Sequence, residues 1–260
     1  MSLLSMMGPE TDIYAKKIYY GGNQSWFYDE VVNSTQEDKD IKEGGCGLIS
    51  AADLIMYLTF FHSGMPSSEL FELVTSSEYE GEYVKYEDYD KLVRHLNDII
   101  PPMPLDIRIG GVNVFHQTLG YPPARVKNLL NKYFGENDIS IKAESNQINP
   151  KIGRKIEREE MLEQIIWQIE SDIPVPLMGG LFGGAKMRQI DIATGKYLTH
   201  EEDFKVHWVN VVAVRFDEIE GTVLLEVACW GKKYLIDYND YYNIASLGNG
   251  LDGVVWLEKQ

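Results

Sequence analysis

The tetrad Gly44-Gly45-Cys46-Gly47 stands directly before an apolar run, Leu48 to Phe61. Gly44 and Gly45 break any preceding element, and Leu48, Ala51, Ala52, Ile55, Leu58 and Thr59 follow at helical spacing. That spacing places Cys46 at the head of a helix. There, unpaired backbone N–H groups and the positive end of the macrodipole favour a thiolate over a thiol. A sulfur so placed is a candidate nucleophile. The competing reading is structural, because free cysteine is among the most buried residue types and often fills space as a small apolar group.

A thiol nucleophile needs a base, and histidine is the usual one because it titrates near neutral pH. Of the five histidines, His62 and His95 fall late in or near the ends of expected helices, His116 follows an apolar strand-like run, and His200 lies in an expected acidic loop. Each reads as a surface or capping residue. His207 differs, because it opens His207-Trp208-Val209-Asn210-Val211-Val212-Ala213-Val214 and so sits at the mouth of a strand expected to be central. Taken alone, such a residue reads first as a satisfied core histidine. Cys229, the second of two cysteines, reads as a small strand residue; no Cys/His pair has metal-ligand spacing, and no cofactor is expected.

These residues must be positioned by the elements around them. Ile18 to Tyr20 reads as a short strand ending at Gly21-Gly22, and Asn23-Gln24-Ser25-Trp26-Phe27 as a loop or turn. Asn33 to Glu43, polar and charge-rich, reads as a surface segment that delivers the chain to Cys46. Helices are expected at Ser67 to Ser76, Asp88 to Ile100, Ala124 to Phe134 and Glu159 to Ser171, with a solvated loop or partner contact at Glu78 to Tyr89. Ile139 to Ala143 and Ile173 to Met178 read as strands. Gly179 to Gly184 is rich in glycine but lacks the Gly-Lys-Ser/Thr ending of a phosphate loop. From Lys205 onward the pattern is strands, Val206 to Phe216, Thr222 to Cys229 and Lys233 to Tyr238, with glycine in both turns. The fold class is therefore α+β: helices in front, an antiparallel sheet behind, and a cleft between them.

Composition narrows the function classes. With 44% hydrophobic and 25% charged residues the 260-residue chain is an ordinary globular one, and no 18-residue apolar run exists to span a membrane. The net charge of −16 argues against a nucleic-acid surface. The basic residues Lys151, Arg154, Lys155 and Arg158 are interrupted by acids and read as the solvated start of a helix. Met1 to Gly8 carries no intact secretory signal, so a reducing, cytoplasmic setting is expected, with a trimmed signal left open.

Gly-Cys-Gly at the head of an apolar helix, a late His-Trp-Val strand opening and a Trp230-Gly231 turn one strand further on resemble the papain-like cysteine peptidase superfamily. Within it, the similarity is to bacterial peptidases that process bacteriocin leaders. About fifteen residues between Gly21 and Tyr238 carry the resemblance, chiefly through their order. It implies a single papain-like domain over residues 1–260, with a helical lobe at about 40–171, a sheet lobe at about 172–260, and residues 15–30 contributing an oxyanion loop.

The resemblance also implies roles. Cys46 would be the thiolate nucleophile, His207 its imidazole partner, and Gln24 the amide that donates to the oxyanion, with Gln36 ranked second. The implied substrate is a peptide or small amide. The segment Gly179 to His200 would border the cleft as a lid. The pattern fails at the third member: where papain-like enzymes place an asparagine or aspartate to orient the imidazole, this chain has Ala228 in Ala228-Cys229-Trp230-Gly231. Glu226 and Asn210 are the substitutes, although strand alternation puts Asn210 on the face opposite His207. The rival expectation is an inactive papain-like domain that binds a peptide or protein in the same cleft.

Overall fold

In the computed structural model, which describes residues 17–18, 21–28, 34–60, 84–109, 112–150, 154–180, 185–191, 194, 196–217, 221–248 and 251–259, Cys46 is the first residue of a buried helix. This is α2, Cys46–Phe60. It is apolar on nearly every face, with Leu48, Ala51, Ala52, Leu54, Ile55 and Leu58 all fully buried, as a helix needs when it packs on several sides. The expected surface segment that delivers the chain to it is helical: α1, Gln36–Gly44. Thr35 caps α1 through a reciprocal box with Asp38, and the Gly45 N–H closes it on the Ile41 carbonyl. Only Asp38, Ile41 and Gly44 of α1 are buried, so its apolar period is too sparse to read from sequence.

Among the described residues there are four further α-helices: α3 (Tyr86–Ile99), α4 (Pro123–Glu136), α5 (Arg158–Glu170) and α6 (Tyr238–Leu247). Twelve strands accompany them. The pair β1 (Lys17–Ile18) and β2 (Val84–Lys85) and the hairpin β3 (Pro104–Ile109) and β4 (Val112–Thr118) stand apart from the main sheet. The remaining eight are β5 (Ile141–Gln147), β6 (Val175–Gly179), β7 (Lys186–Ile190), β8 (Tyr197–Asp203), β9 (His207–Asp217), β10 (Thr222–Cys229), β11 (Lys232–Asp237) and β12 (Gly253–Lys259). They form one antiparallel sheet in the order β5-β12-β6-β9-β10-β11-β7-β8. The α+β class expected from sequence is thus observed. The expected helix Ser67 to Ser76 and His62 lie outside the described residues.

Strand β9 is central and buried along its first eight residues, which accounts for its Val-rich sequence. Helix α2 packs on it beside α3 and α4, and Trp208 belongs to the core on that side. Helices α5 and α6 join a second core with Val209, Val211, Val212 and Val214. The mouth of β9 therefore meets the N-terminus of α2, and the two cores fix that meeting from both sides of the sheet. The segment expected as a lid, Gly179 to His200, is instead largely sheet: β7 pairs with β11, and β8 with β7, so main-chain hydrogen bonds hold it as strands. Residues 181–184, 192, 193 and 195 within it lie outside the described set.

Candidate active site

Gln24, Cys46 and His207 line one narrow crevice, together with Ser50, Asp53 and Ala228. Cys46 is held there by backbone donors. Its sulfur accepts hydrogen bonds from its own N–H, from that of Gly47 in the first turn of α2, and from that of Trp208, one residue past His207. The last of these ties the sulfur to the mouth of β9. His207 is fixed from the other side, pairing across β6 with Gly179. The residue before it, Val206, adopts φ +46°, a left-handed conformation strained for a β-branched side chain, and its N–H donates to the Gly180 carbonyl at 3.1 Å.

The crevice is nearly closed, with Cys46 only 7% and His207 only 6% exposed. Burial pushes the Cys46 thiol up to about 11, against the opposing pull of its three N–H donors. Burial likewise pulls the His207 imidazole down to about 3. Both groups are therefore neutral at pH 7. The thiolate expected from the helix terminus is not what this environment favours, because the desolvation of a charged sulfur outweighs the dipole and its donors. A neutral thiol and a neutral imidazole that line one crevice can still react, with proton transfer accompanying attack.

Trp230 lies over the imidazole, ring centroids 4.1 Å apart and planes 22° from parallel. It reaches this position from a two-residue hairpin turn between β10 and β11. Trp230 and Gly231 have φ +50° and +73°, and Cys229 pairs with Lys232. His207 Nε2 is buried with no hydrogen-bond partner. Neither substitute proposed for the third member is bonded to the ring. Asn210 lines the same crevice, contrary to the face that strand alternation gives it, but its carboxamide is taken up by Ser50: it accepts from the Ser50 hydroxyl at 2.9 Å and donates to the Ser50 carbonyl at 3.1 Å. Glu226 is fully buried in an ion pair with Lys233 at 2.7 Å and a second with Arg215. Ala228 lines the crevice and offers no polar atom on its side chain.

Gln24 begins a 3-10 turn, Gln24–Phe27, capped by the Asn23 side chain, which accepts from the Ser25 N–H at 2.9 Å. Phe27 anchors the turn in the core, and Trp26 meets Tyr89 of α3 edge-on. The two glycines before it are required. Gly21 has φ +71°, and a Cβ there would lie 2.7 Å from the Cys229 backbone nitrogen; a Cβ on Gly22 would lie 1.9 Å from the Tyr89 hydroxyl. The Gly22 N–H donates to both oxygens of Asp53, at 3.0 and 3.2 Å, while Tyr89 donates to Asp53 at 2.9 Å. The Gly22 carbonyl accepts from Trp230 N–H at 3.2 Å, and the Gly21 carbonyl from Gly231 N–H. Gln36, the second-ranked glutamine, is exposed on α1 and donates to Asp40 at 2.8 Å.

The other histidines stand apart. His95 lies on α3 against Tyr133, and His200 is in strand β8 rather than a loop, 2.7 Å from Glu202. His116 falls within β4. Cys229 is a buried free cysteine. Among the described residues no group of three His, Cys, Asp or Glu side chains is placed to hold a metal ion, and no helix is long and apolar enough to cross a membrane.

Cys46 also borders a larger apolar groove of about 430 Å³, walled by Met103, Leu119, Tyr121, Met178, Val206 and Leu251. A thiol, an imidazole and a carboxamide at one crevice, opening on an apolar groove, are the groups that acyl transfer from a bound amide requires.

Asp53 joins the crevice from outside the motifs of Gln24, Cys46 and His207. Its signal was present: Cys46, Ile49, Ser50 and Asp53 recur at i, i+3, i+4 and i+7, and Asp53 is the one charged residue in Cys46–Phe60. Searches of family models, curated proteins and solved structures give no match to this chain.

Proposed function

We propose that the protein is a papain-like cysteine hydrolase acting on a peptide or small amide. The observation that carries this reading is the convergence of Gln24, Cys46 and His207, from three separate parts of the chain, on one crevice beside an apolar groove. Cys46 Sγ attacks the substrate carbonyl carbon while His207 takes the thiol proton. The oxyanion receives hydrogen bonds from the Gln24 carboxamide and a backbone N–H at the head of α2. The imidazolium then gives its proton to the leaving amine as the C–N bond breaks. Water, deprotonated by the now neutral imidazole, attacks the thioester carbon, releases the acid and restores the thiol. Apolar side chains of the substrate occupy the groove.

The test is incubation with a diverse peptide pool and mass mapping of the products. Cleavage by wild type, lost in Cys46→Ala and His207→Ala and reduced about 100-fold or more in Gln24→Ala, is the expected result. Cleavage no greater in wild type than in Cys46→Ala would remove the proposal.

A second reading, a domain that binds peptides without cleaving them, is favoured by one feature: His207 Nε2 has no hydrogen-bond partner, and Ala228, which lines the same crevice, offers no acceptor. It predicts that wild type and Cys46→Ala retain the same peptides, intact and equally well.

A further inference from the structure

The hydrolase reading leaves the buried carboxyl of Asp53 without a task. Asp53 stands two helical turns after Cys46 on the same face of α2 and lines the same crevice. Its carboxylate faces backbone rather than a cation: both oxygens accept from the Gly22 N–H. The facing titratable groups are Tyr89 of α3, which donates to it, and Cys229 at the end of β10, with Cys46 and His207 across the crevice. Gly22 is bound in turn to the Trp230 N–H, and the Trp230 ring covers His207. The carboxylate thus grips a two-glycine knot that joins the nucleophile helix, the Gln24 turn and the turn that shields the imidazole.

We propose that Asp53 is a positioning residue that locks the Gln24 turn to the nucleophile helix, so that the Gln24 carboxamide is held for the oxyanion. The inference rests on the hydrolase reading for its catalytic half only. Protonating the carboxylate weakens its acceptance of the Gly22 N–H, and burial raises Asp53 to about 7 despite its hydrogen bonds. Turnover accordingly carries an acidic limb near neutrality, well above the His207 imidazole at about 3.

The experiment compares wild type, Asp53→Asn and Tyr89→Phe in two readouts. In hydrogen exchange, Asp53→Asn should speed exchange of the 21–28 amides while leaving α5 unchanged. In turnover, it should lower kcat about 10- to 100-fold, approaching Gln24→Ala, with KM nearly constant, and should abolish the acidic limb. Tyr89→Phe, which keeps the carboxylate and removes one donor to its ionised form, should keep the limb and move it to higher pH. Unchanged exchange at 21–28 in Asp53→Asn overturns the lock, as does an acidic limb that persists in that variant. If wild type turns over no peptide, the hydrolase reading fails separately and exchange alone decides: faster exchange at 21–28 upholds the lock, and unchanged exchange overturns it.

Discussion

Two buried groups of opposite type, Asp53 and His207, set the pH response of the site. The Asp53 carboxyl rises from its ordinary 3.8 to about 7, so the folded chain binds that proton more tightly than the unfolded one. The resulting stability is full below pH ~4 and is lost as pH rises towards 7. His207 falls from 6.5 to about 3, so its contribution is full above pH ~6.5 and is lost as pH falls. Between about pH 4 and 6.5 the two oppose each other. Relative to wild type, Asp53→Asn should gain stability as pH rises through that window, by up to roughly 1.4 kcal/mol per unit, and His207→Gln should lose it at a similar rate. Urea denaturation at pH 4.5 and 6.5 measures both; parallel pH responses in the two variants would contradict the assigned protonation states. At this scale the sequence made Cys46, His207 and Gln24 legible, because each belongs to a local motif. Asp53 shares the Cys46 face at i+7, but its partner, a backbone N–H 31 residues away, has no sequence signal.

The elements nearest the site carry their own tests. The Trp230-Gly231 turn is left-handed at both residues, a conformation that favours asparagine or glycine over tryptophan at the first position. The Trp230 ring stacks on His207 and meets Tyr234 edge-on, contacts that the turn itself does not require. Trp230→Asn should therefore suit the backbone better while uncovering the imidazole, so that His207 titrates well above 3 and towards 6.5 in an NMR titration; an unmoved titration would show that the stack does not govern its burial. On α1, Thr35→Ala should cost about 1 kcal/mol in thermal or urea unfolding by removing the cap on Asp38 N–H. Elements with strong periods, such as α3, α4 and β9, were legible to within a few residues. Strand β8 was not, because almost every residue in Tyr197–Asp203 is exposed and the alternation that reveals strands is missing.

For the whole molecule, the α+β class followed from the shift of periodicity along the chain, but the sheet order did not. Strand β12, last in the sequence, sits between β5 and β6, a pairing made by main-chain bonds across more than a hundred residues on one side. Such long-range register has no local signature. The arrangement puts Met178 of β6 and Leu251, just before β12, on the groove that Cys46 borders. Leu119, half exposed on that wall, offers a separate test: Leu119→Arg should raise KM for apolar peptides about tenfold and leave kcat nearly unchanged, since it alters binding rather than the reacting atoms. If Cys46 is acylated with His207 as its base, brief exposure to an activated acyl ester at pH 7.5 in a Cys229→Ala background adds one acyl group per chain by intact-protein mass, located on Cys46 and formed far more slowly when His207→Ala is added. An unlabelled Cys46, or one labelled equally fast without His207, would contradict that chemistry.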